Sequence, residues 1–327
     1  MRRITIAGTS VLAATLLLSG CSAGQPESDG GITVVASTNV YGDIAETIGG
    51  DRVQVTSIID DPSQDPHSFE GTARDQLALS RAEIVIQNGG GYDEFIETLL
   101  SGADNADAVV IDAAEIAGLE DGHDEEGHEG EEQGEDEHAE DETADEHEGH
   151  HHDHSVNEHV WYDLHVVGHV AEEITEALAE AEPGSAELFQ ANLDEFLSGL
   201  EEVEGQQAAL AETADGAGII TTEPVALYLL QDAGFVDRTP EEFSEAIEEE
   251  GDVPPLAMQQ TLDLVASGTL AFLVYNEQTT GPSTEQVLNA ADGAGLPVVA
   301  VDETLPEGLH YLEWMTSVLD DFAAALS

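Results

Sequence analysis

The chain has 327 residues, 41% of them hydrophobic, and sets 71 Asp and Glu against 6 Arg and no Lys, for a formal charge of −65. Such a surface repels nucleic acid and anionic lipid headgroups, so neither is an expected partner. The length suggests two domains, and the apolar content is enough for their cores.

Of the 71 acidic residues, 17 fall between Asp121 and His154, and the remainder still far outnumber the arginines. The acidity therefore belongs to the whole surface. Strong salt would screen its self-repulsion, so a salt-loving prokaryotic source is expected. An acidic face for a binding partner is the alternative.

Arg2 and Arg3 precede an apolar run from Val11 to Leu18, which closes on Ser19-Gly20-Cys21. A charged start, a short apolar run and a small-residue end predict a removable export signal over residues 1–21, too short to be a normal transmembrane helix. The ending is similar to the lipobox of prokaryotic lipoproteins, in which the cysteine becomes the lipidated N-terminus. An ordinary secretory signal with an incidental cysteine is the alternative. Cys21 is the single cysteine, so the exported chain has no disulfide and no thiolate metal site. Residues 22–31 read as a flexible tether.

Ile32 to Ser37 is a predicted strand, Val40 to Ile48 a helix ended by Gly49-Gly50, and Val53 to Ile59 a second strand. The loop Asp65-Pro66-His67-Ser68-Phe69-Glu70 follows. Proline fixes its own φ and pushes its predecessor toward extended geometry, so the loop is stiff and presents an imidazole. A helix over Thr72–Ala82, a buried strand over Ile84–Gln87, a helix over Asp93–Leu100 and a strand over Val109–Asp112 complete a βα-layered lobe with a mainly parallel sheet.

Composition then breaks. Residues 121–154 are almost only Asp, Glu, His and Gly, with no apolar residue larger than alanine. Such a segment cannot bury a core and is expected to be disordered without a ligand. Helical patterning resumes over Val160–Ala181. A long helix is predicted for Ser185–Glu212, where Phe189, Leu193, Phe196, Leu200 and Val203 recur at three- and four-residue steps. It would run about 42 Å and bridge two lobes; an ordinary surface helix within one domain is the alternative. The second lobe repeats the alternation: strand Gly218–Thr222, helix Pro224–Ala233, helix Pro254–Ala266, strand Leu270–Tyr275, helix Ser283–Ala294, strand Pro297–Val301 and helix Leu309–Ala325.

Four candidate ligand positions stand out. His67 lies past the second strand. His159 lies at a predicted helix start. Glu223 follows Ile219-Ile220-Thr221-Thr222, with Pro224 suited to a helix's first position. Asp302 and Glu303 follow the last strand. In open α/β sheets ligands bind outside the carboxyl ends of strands. Two facing lobes would bring together two imidazoles and one or two carboxylates, a set suited to zinc, manganese or ferrous iron.

Asp65-Pro66-His67-Ser68-Phe69-Glu70, Glu158-His159-Val160-Trp161-Tyr162-Asp163 and Thr222-Glu223-Pro224 resemble motifs of the zinc/manganese substrate-binding proteins of bacterial and archaeal ABC importers. The resemblance covers Ile32 to Leu326 and extends to the lipobox, the His-rich insert and the long helix. It implies two α/β lobes joined by one long rigid helix with a metal in the cleft between them. The domain plan is then a signal at 1–21, a tether at 22–31, an N-terminal lobe at 32–184, a linking helix at 185–212 and a C-terminal lobe at 213–327. The implied metal ligands are His67, His159, Glu223 and an acidic fourth, Glu303, with Asp302 as the alternative. The implied function is an exported, non-enzymatic, monomeric receptor. It would be held by lipidated Cys21 at the outer face of the cytoplasmic membrane and deliver its ion to a permease and ATPase. Where relatives often have proline before the second histidine and after the following aspartate, this chain has Glu158 and Leu164 in those places.

Glu223 in place of histidine resembles the manganese-binding branch, and the His-rich insert resembles the zinc branch. His123, His128, His138, His147, His150, His151, His152 and His154 are expected to gather zinc weakly near the cleft, and on that ground zinc is the expected ion. A solvated linker is the plainer account of the insert. His147-Glu148-Gly149-His150-His151 matches HExxH but lacks the packed apolar helix face that motif needs. A zinc-dependent hydrolase or a metal-stabilised adhesin is a remote alternative. His165 and His169 share a helix face and are read as packing or surface histidines rather than a second metal pair; His310 is read likewise. Trp161 and Trp314 are expected in the core.

Overall fold

The computed structural model describes residues 31–61, 64, 66–119, 157–249 and 251–327. The expected signal and most of the tether, Cys21, Asp65 and the His-rich insert lie outside these described residues.

In the first lobe β1 (Ile32–Thr38), α1 (Asn39–Gly49), β2 (Val53–Ile59), α2 (Ala73–Leu79), β3 (Ile84–Gln87), α3 (Phe95–Ala103), β4 (Val109–Asp112) and α4 (Ala113–Ile116) follow in order. Next come α5 (Leu164–Ala181) and the long α6 (Ala186–Ala214). The second lobe holds β5 (Gly218–Thr221), α7 (Leu227–Asp232), β6 (Val236–Asp237), α8 (Glu241–Glu248), α9 (Pro255–Ala266), β7 (Leu270–Asn276), α10 (Pro282–Ala294), β8 (Val298–Val301) and α11 (Tyr311–Leu326).

Both sheets are four-stranded and wholly parallel, ordered β2-β1-β3-β4 and β6-β5-β7-β8. The two lobes thus share one topology, as the repeated strand–helix alternation predicts. Each central strand is a run of β-branched and aliphatic residues buried on both faces, as β3 (Ile84-Val85-Ile86) shows. In each sheet the chain turns to opposite sides between the two middle strands, which opens a crevice at their carboxyl ends.

One apolar cluster runs through both lobes, from Tyr41 and Ile44 through Trp161 and Phe189 to Phe272, Trp314 and Phe322. Separate clusters cover the outer faces: Val35, Ile59, Val85 and Ile96 in the first lobe, Ile220, Phe243, Leu273 and Val287 in the second. The helix α6 lays Phe189, Leu193, Phe196, Leu200, Val203 and Leu210 along the shared core. Its 29 residues span about 43 Å at the standard rise. It is tied at both ends: Asn192 Nδ2 donates to the Ile48 carbonyl at 2.8 Å, and Gln207 Nε2 to the Leu229 carbonyl at 3.2 Å.

The lobes are also clamped directly. The Asn39 side chain donates to the Leu305 carbonyl and accepts from the Leu305 N–H, both at 2.8 Å. Tyr311 Oη donates to the Trp161 carbonyl at 2.7 Å, and Tyr162 Oη to the Asp302 carbonyl at 2.8 Å.

Some elements depart from expectation. Val160–Tyr162 form a 3₁₀ turn, and α5 starts only at Leu164. The reason is Asp163, whose Oδ1 accepts from the His165 and Val166 N–H groups at 3.0 and 3.2 Å and so sets the helix start. Pro224 does not open a helix: it begins a turn, accepting from the Leu227 N–H at 3.0 Å, and α7 starts at Leu227. Three elements carried no readable pattern. These are α4, the two-residue β6, and α8, whose acidic run hides Phe243 and Ile247.

Candidate metal centre

The strand-end rule places most of the site. His67 stands in the turn past β2, Glu223 past β5 and Glu303 past β8. His159 arrives on the segment before α5. One coordinating atom each from His67, His159 and Glu303 lies within a mutual 4.8 Å. The His67 and His159 ring centroids are 5.8 Å apart, and His67 Nε2 is 3.8 Å from Glu303 Oε2. His159, Glu223 and Glu303 are buried, and His67 keeps about a fifth of its side chain exposed, at 20%.

Glu223 is not a member of that 4.8 Å group. The Thr279 hydroxyl holds its Oε2 in a short hydrogen bond. Its carboxyl is pushed up to about 7, first by burial and further by the Glu303 charge, against the opposing pull of Thr279, Asn276 and His67. Asp302 is half-buried beside Glu277, whose charge adds to burial in raising its carboxyl; it joins none of the metal-sized groups among the described residues.

The tautomer of His159 follows from its neighbour. Asn157 Oδ1 can only accept, and it takes both the His159 N–H at 3.1 Å and ring Nδ1 at 2.7 Å. Nδ1 therefore carries the proton and Nε2 keeps a free lone pair, the arrangement of a metal-ligating imidazole. The Asn157 amide donates to the Pro224 carbonyl at 3.0 Å, which fixes its orientation. Burial, and then the His67 imidazole, hold the His159 ring well below the ordinary histidine range, so it is neutral and free to ligate.

Glu303 is held at both oxygens. Tyr92 Oη donates to Oε2 at 3.1 Å and Asn276 Nδ2 to Oε1 at 2.7 Å. Its N–H donates to Gln278 Oε1 at 2.5 Å, while Gln278 Nε2 donates to the Gln64 carbonyl at 3.0 Å. Gln278 thus ties the His67 loop of one lobe to Glu303 of the other. Tyr92 lies edge-on to His67 with centroids 5.0 Å apart, and Trp161 edge-on to His159 at 5.2 Å. These rings wall the site with apolar surface.

Tyr92 sits on the turn Asn88-Gly89-Gly90-Gly91, whose glycines all have positive φ. The Asp93 carboxylate gathers this turn by accepting from the Asn88 and Gly89 N–H groups at 2.7 and 2.9 Å. A Cβ on Gly89 would lie 2.2 Å from Asp112 Oδ1, so the position needs glycine twice over.

Two carboxylates not assigned from sequence complete the surroundings. His67, Glu158 and Glu248 form a second group within 4.8 Å. Burial, with the charges of Glu158, Glu223 and Glu303, pushes the Glu248 carboxyl up to about 9. Burial and neighbouring carboxylates thus raise both Glu223 and Glu248, and a dication is the species that relieves this. Asn157, Asn276, Gln278 and Tyr92 were also unassigned, although the strand-end rule applied to β3 and β7 points to the last three.

The remaining histidines lie elsewhere. His310 is exposed, its Nδ1 2.7 Å from Asp43 Oδ1, and that hydrogen bond raises its pKa. His165 and His169 face solvent on α5. Trp161 and Trp314 are buried.

Replacing Tyr92 by Phe removes the hydroxyl that orients Glu303 and leaves the ring wall. Metal affinity should fall about tenfold, the usual loss for a partner standing behind a ligand. Competitive titration against a chromogenic chelator measures it, and an unchanged affinity would refute the orienting role.

A family model described as zinc-uptake complex component A, periplasmic, matches residues 34–325. The manganese-binding lipoprotein MntA of Halalkalibacterium halodurans is 26% identical over 198 residues, 59% of this chain and 55% of that protein. The manganese ABC transporter substrate-binding lipoprotein PsaA of Streptococcus pneumoniae is 32% identical over 76 residues, 23% of this chain and 24% of that protein. The chain spans about half the length of the first of these curated relatives or less. Among solved structures, the periplasmic zinc binding protein TroA from Treponema pallidum aligns with a TM-score of 0.68 at 18% identity, covering 91% of this chain and 100% of that one. A crystal structure of ZnuA aligns with a TM-score of 0.65 at 21% identity, covering 90% and 97%. Two parallel-sheet lobes joined by a long helix are the fold they share with this chain.

Proposed function

Since the chain belongs to the family of zinc-uptake complex component A, we propose that it captures one divalent cation between its lobes and delivers it to the permease and ATPase of a metal importer. The observation that supports this most is the meeting of His67, His159 and Glu303, from three separate segments, within one cation's reach. In this reading His67 Nε2, His159 Nε2 and a Glu303 oxygen bind first. Glu223 turns from Thr279 to become the fourth ligand, and Asp302 stays out of the set. The cation is cargo and undergoes no reaction.

Zinc is the cargo we favour. Eight histidines in the insert suit a gatherer of zinc, and an imidazole-containing site prefers zinc to manganese. Manganese is the second reading, supported by the carboxylate Glu223 where a third imidazole would favour zinc, and by relatives named for manganese. Lipidation at Cys21 would keep a monomeric receptor at the outer face of the cytoplasmic membrane, next to its permease.

Equilibrium titration of the purified protein with zinc and manganese in competition tests the proposal. One tight site per chain that prefers zinc is expected. Binding of neither ion more tightly than an exposed carboxylate pair binds it would overturn the proposal.

A further inference from the structure

The solvent stripe of α5 carries His165, His169, Glu172, Glu173, Glu176 and Glu180, with no arginine among them. On it the two imidazoles meet. His165 Nε2 and His169 Nε2 are 3.3 Å apart, with ring centroids at 4.7 Å and planes crossing at 79°. Behind them Glu172 Oε2 lies 3.0 Å from His169 Nδ1.

This geometry is specific. Two nitrogens bound to one tetrahedral zinc at about 2.0–2.1 Å stand about 3.3 Å from each other. The pair already has that separation, and both rings present the same nitrogen to the shared point. A carboxylate on Nδ1 keeps the proton on that nitrogen and leaves Nε2 free to ligate, which is how metal-bound imidazoles are usually supported. The helix fixes the spacing, because positions four apart stack on one face. With the His169 proton on Nδ1, the His165 Nε2–H donates to His169 Nε2 when no cation is bound, and on metal binding that proton would pass to the open His165 Nδ1 so that both Nε2 lone pairs face the ion. About half of the His169 and Glu172 side chains is exposed, at 50% and 55%, so the site is open to an incoming ion. The glutamates farther along the stripe raise the local cation concentration.

We propose that His165 and His169 form a second, weaker divalent-cation site on the outer face of α5. It would take imidazole-seeking ions such as zinc, nickel or copper rather than manganese. Sequence spacing alone favours surface histidines here; the matched Nε2 atoms and the Glu172 support behind them are what change the reading. The pair shares no residue with the cleft, so the proposal stands whichever cargo the cleft carries.

Histidine modification by diethyl pyrocarbonate, read peptide by peptide by mass spectrometry on the full chain in buffered free metal, tests it. Zinc or nickel should slow modification of His165 and His169 together at least about fivefold, and manganese should not. In His165→Ala the metal protection of His169 should disappear, and in His169→Ala that of His165. Glu172→Gln should shift the protecting zinc concentration upward several-fold. Circular dichroism and occupancy of the cleft should be unchanged in all three variants, so lost protection cannot be ascribed to unfolding. Absence of protection in the parent protein, or protection of His169 that survives His165→Ala, would overturn the proposal.

Discussion

Glu303→Ala should lower zinc affinity by at least about 100-fold, whereas Asp302→Ala should leave it within about threefold. Zinc gains about 10–16 kcal/mol in a four-ligand protein site, so one ligand carries about 3 kcal/mol, a factor of roughly 100 in Kd. The contrast comes from two adjacent residues with different surroundings. Glu303 is buried, is held at both oxygens by Tyr92 and Asn276, and lies within 4.8 Å of both imidazoles. Asp302 contributes its backbone carbonyl to the Tyr162 clamp, and its carboxyl neighbours Glu277. Titration of the two variants side by side decides it. A larger loss from Asp302→Ala would place the ligand that follows β8 one residue earlier, and equal losses would refute the contrast.

Glu223→Gln should do two opposite things: lower zinc affinity by up to about 100-fold and stabilise the metal-free protein. The Glu223 carboxyl moves from 4.5 up to about 7 on folding, mainly through burial. A raised acid favours its protonated form in the folded state. Its stabilising contribution is therefore full below 4.5, falls as pH rises, and is lost above about 7. At pH 8 the metal-free protein holds an unfavourable buried charge that glutamine removes, a gain on the order of 2 kcal/mol. At pH 4 the gain should vanish. Denaturant unfolding in chelator at the two pH values measures it. The overall acidity also weakens the protein as pH rises, and the comparison of variant with parent cancels that common effect. A variant less stable than its parent at pH 8 would show that Glu223 is not a strained cargo ligand. The same proton opposes capture: below about pH 7 zinc must displace it, at a loss approaching tenfold in affinity per pH unit from this group alone.

Much of this fold is written in local pattern. The β-branched runs of β1, β3 and β7 and the three-and-four spacing along α6 mark elements whose burial dictates their residues. The strand-end rule leads to His67, Glu223 and Glu303 because parallel sheets put functional loops at one edge. What could not be read acts across long gaps. Gln278 reaches Gln64 and Tyr92 reaches Glu303 across 214 and 211 positions, and nothing local in either residue announces its partner. Asn157 decides a tautomer through one oxygen, a role that depends on where Pro224 stands. The start of α5 turned on Asp163, a capping residue visible in the sequence but outweighed there by the apolar residues Val160 and Trp161.

The long α6, anchored near each end and packed along a core common to both lobes, has one further consequence. Bracing of this kind resists a change of outline when the proposed cation enters. What the proposed loading would change is the electric potential: two positive charges would appear in a cleft crowded with carboxylates. A membrane partner that must tell full from empty would then sense charge at the cleft mouth rather than shape, and strong salt would blunt that distinction.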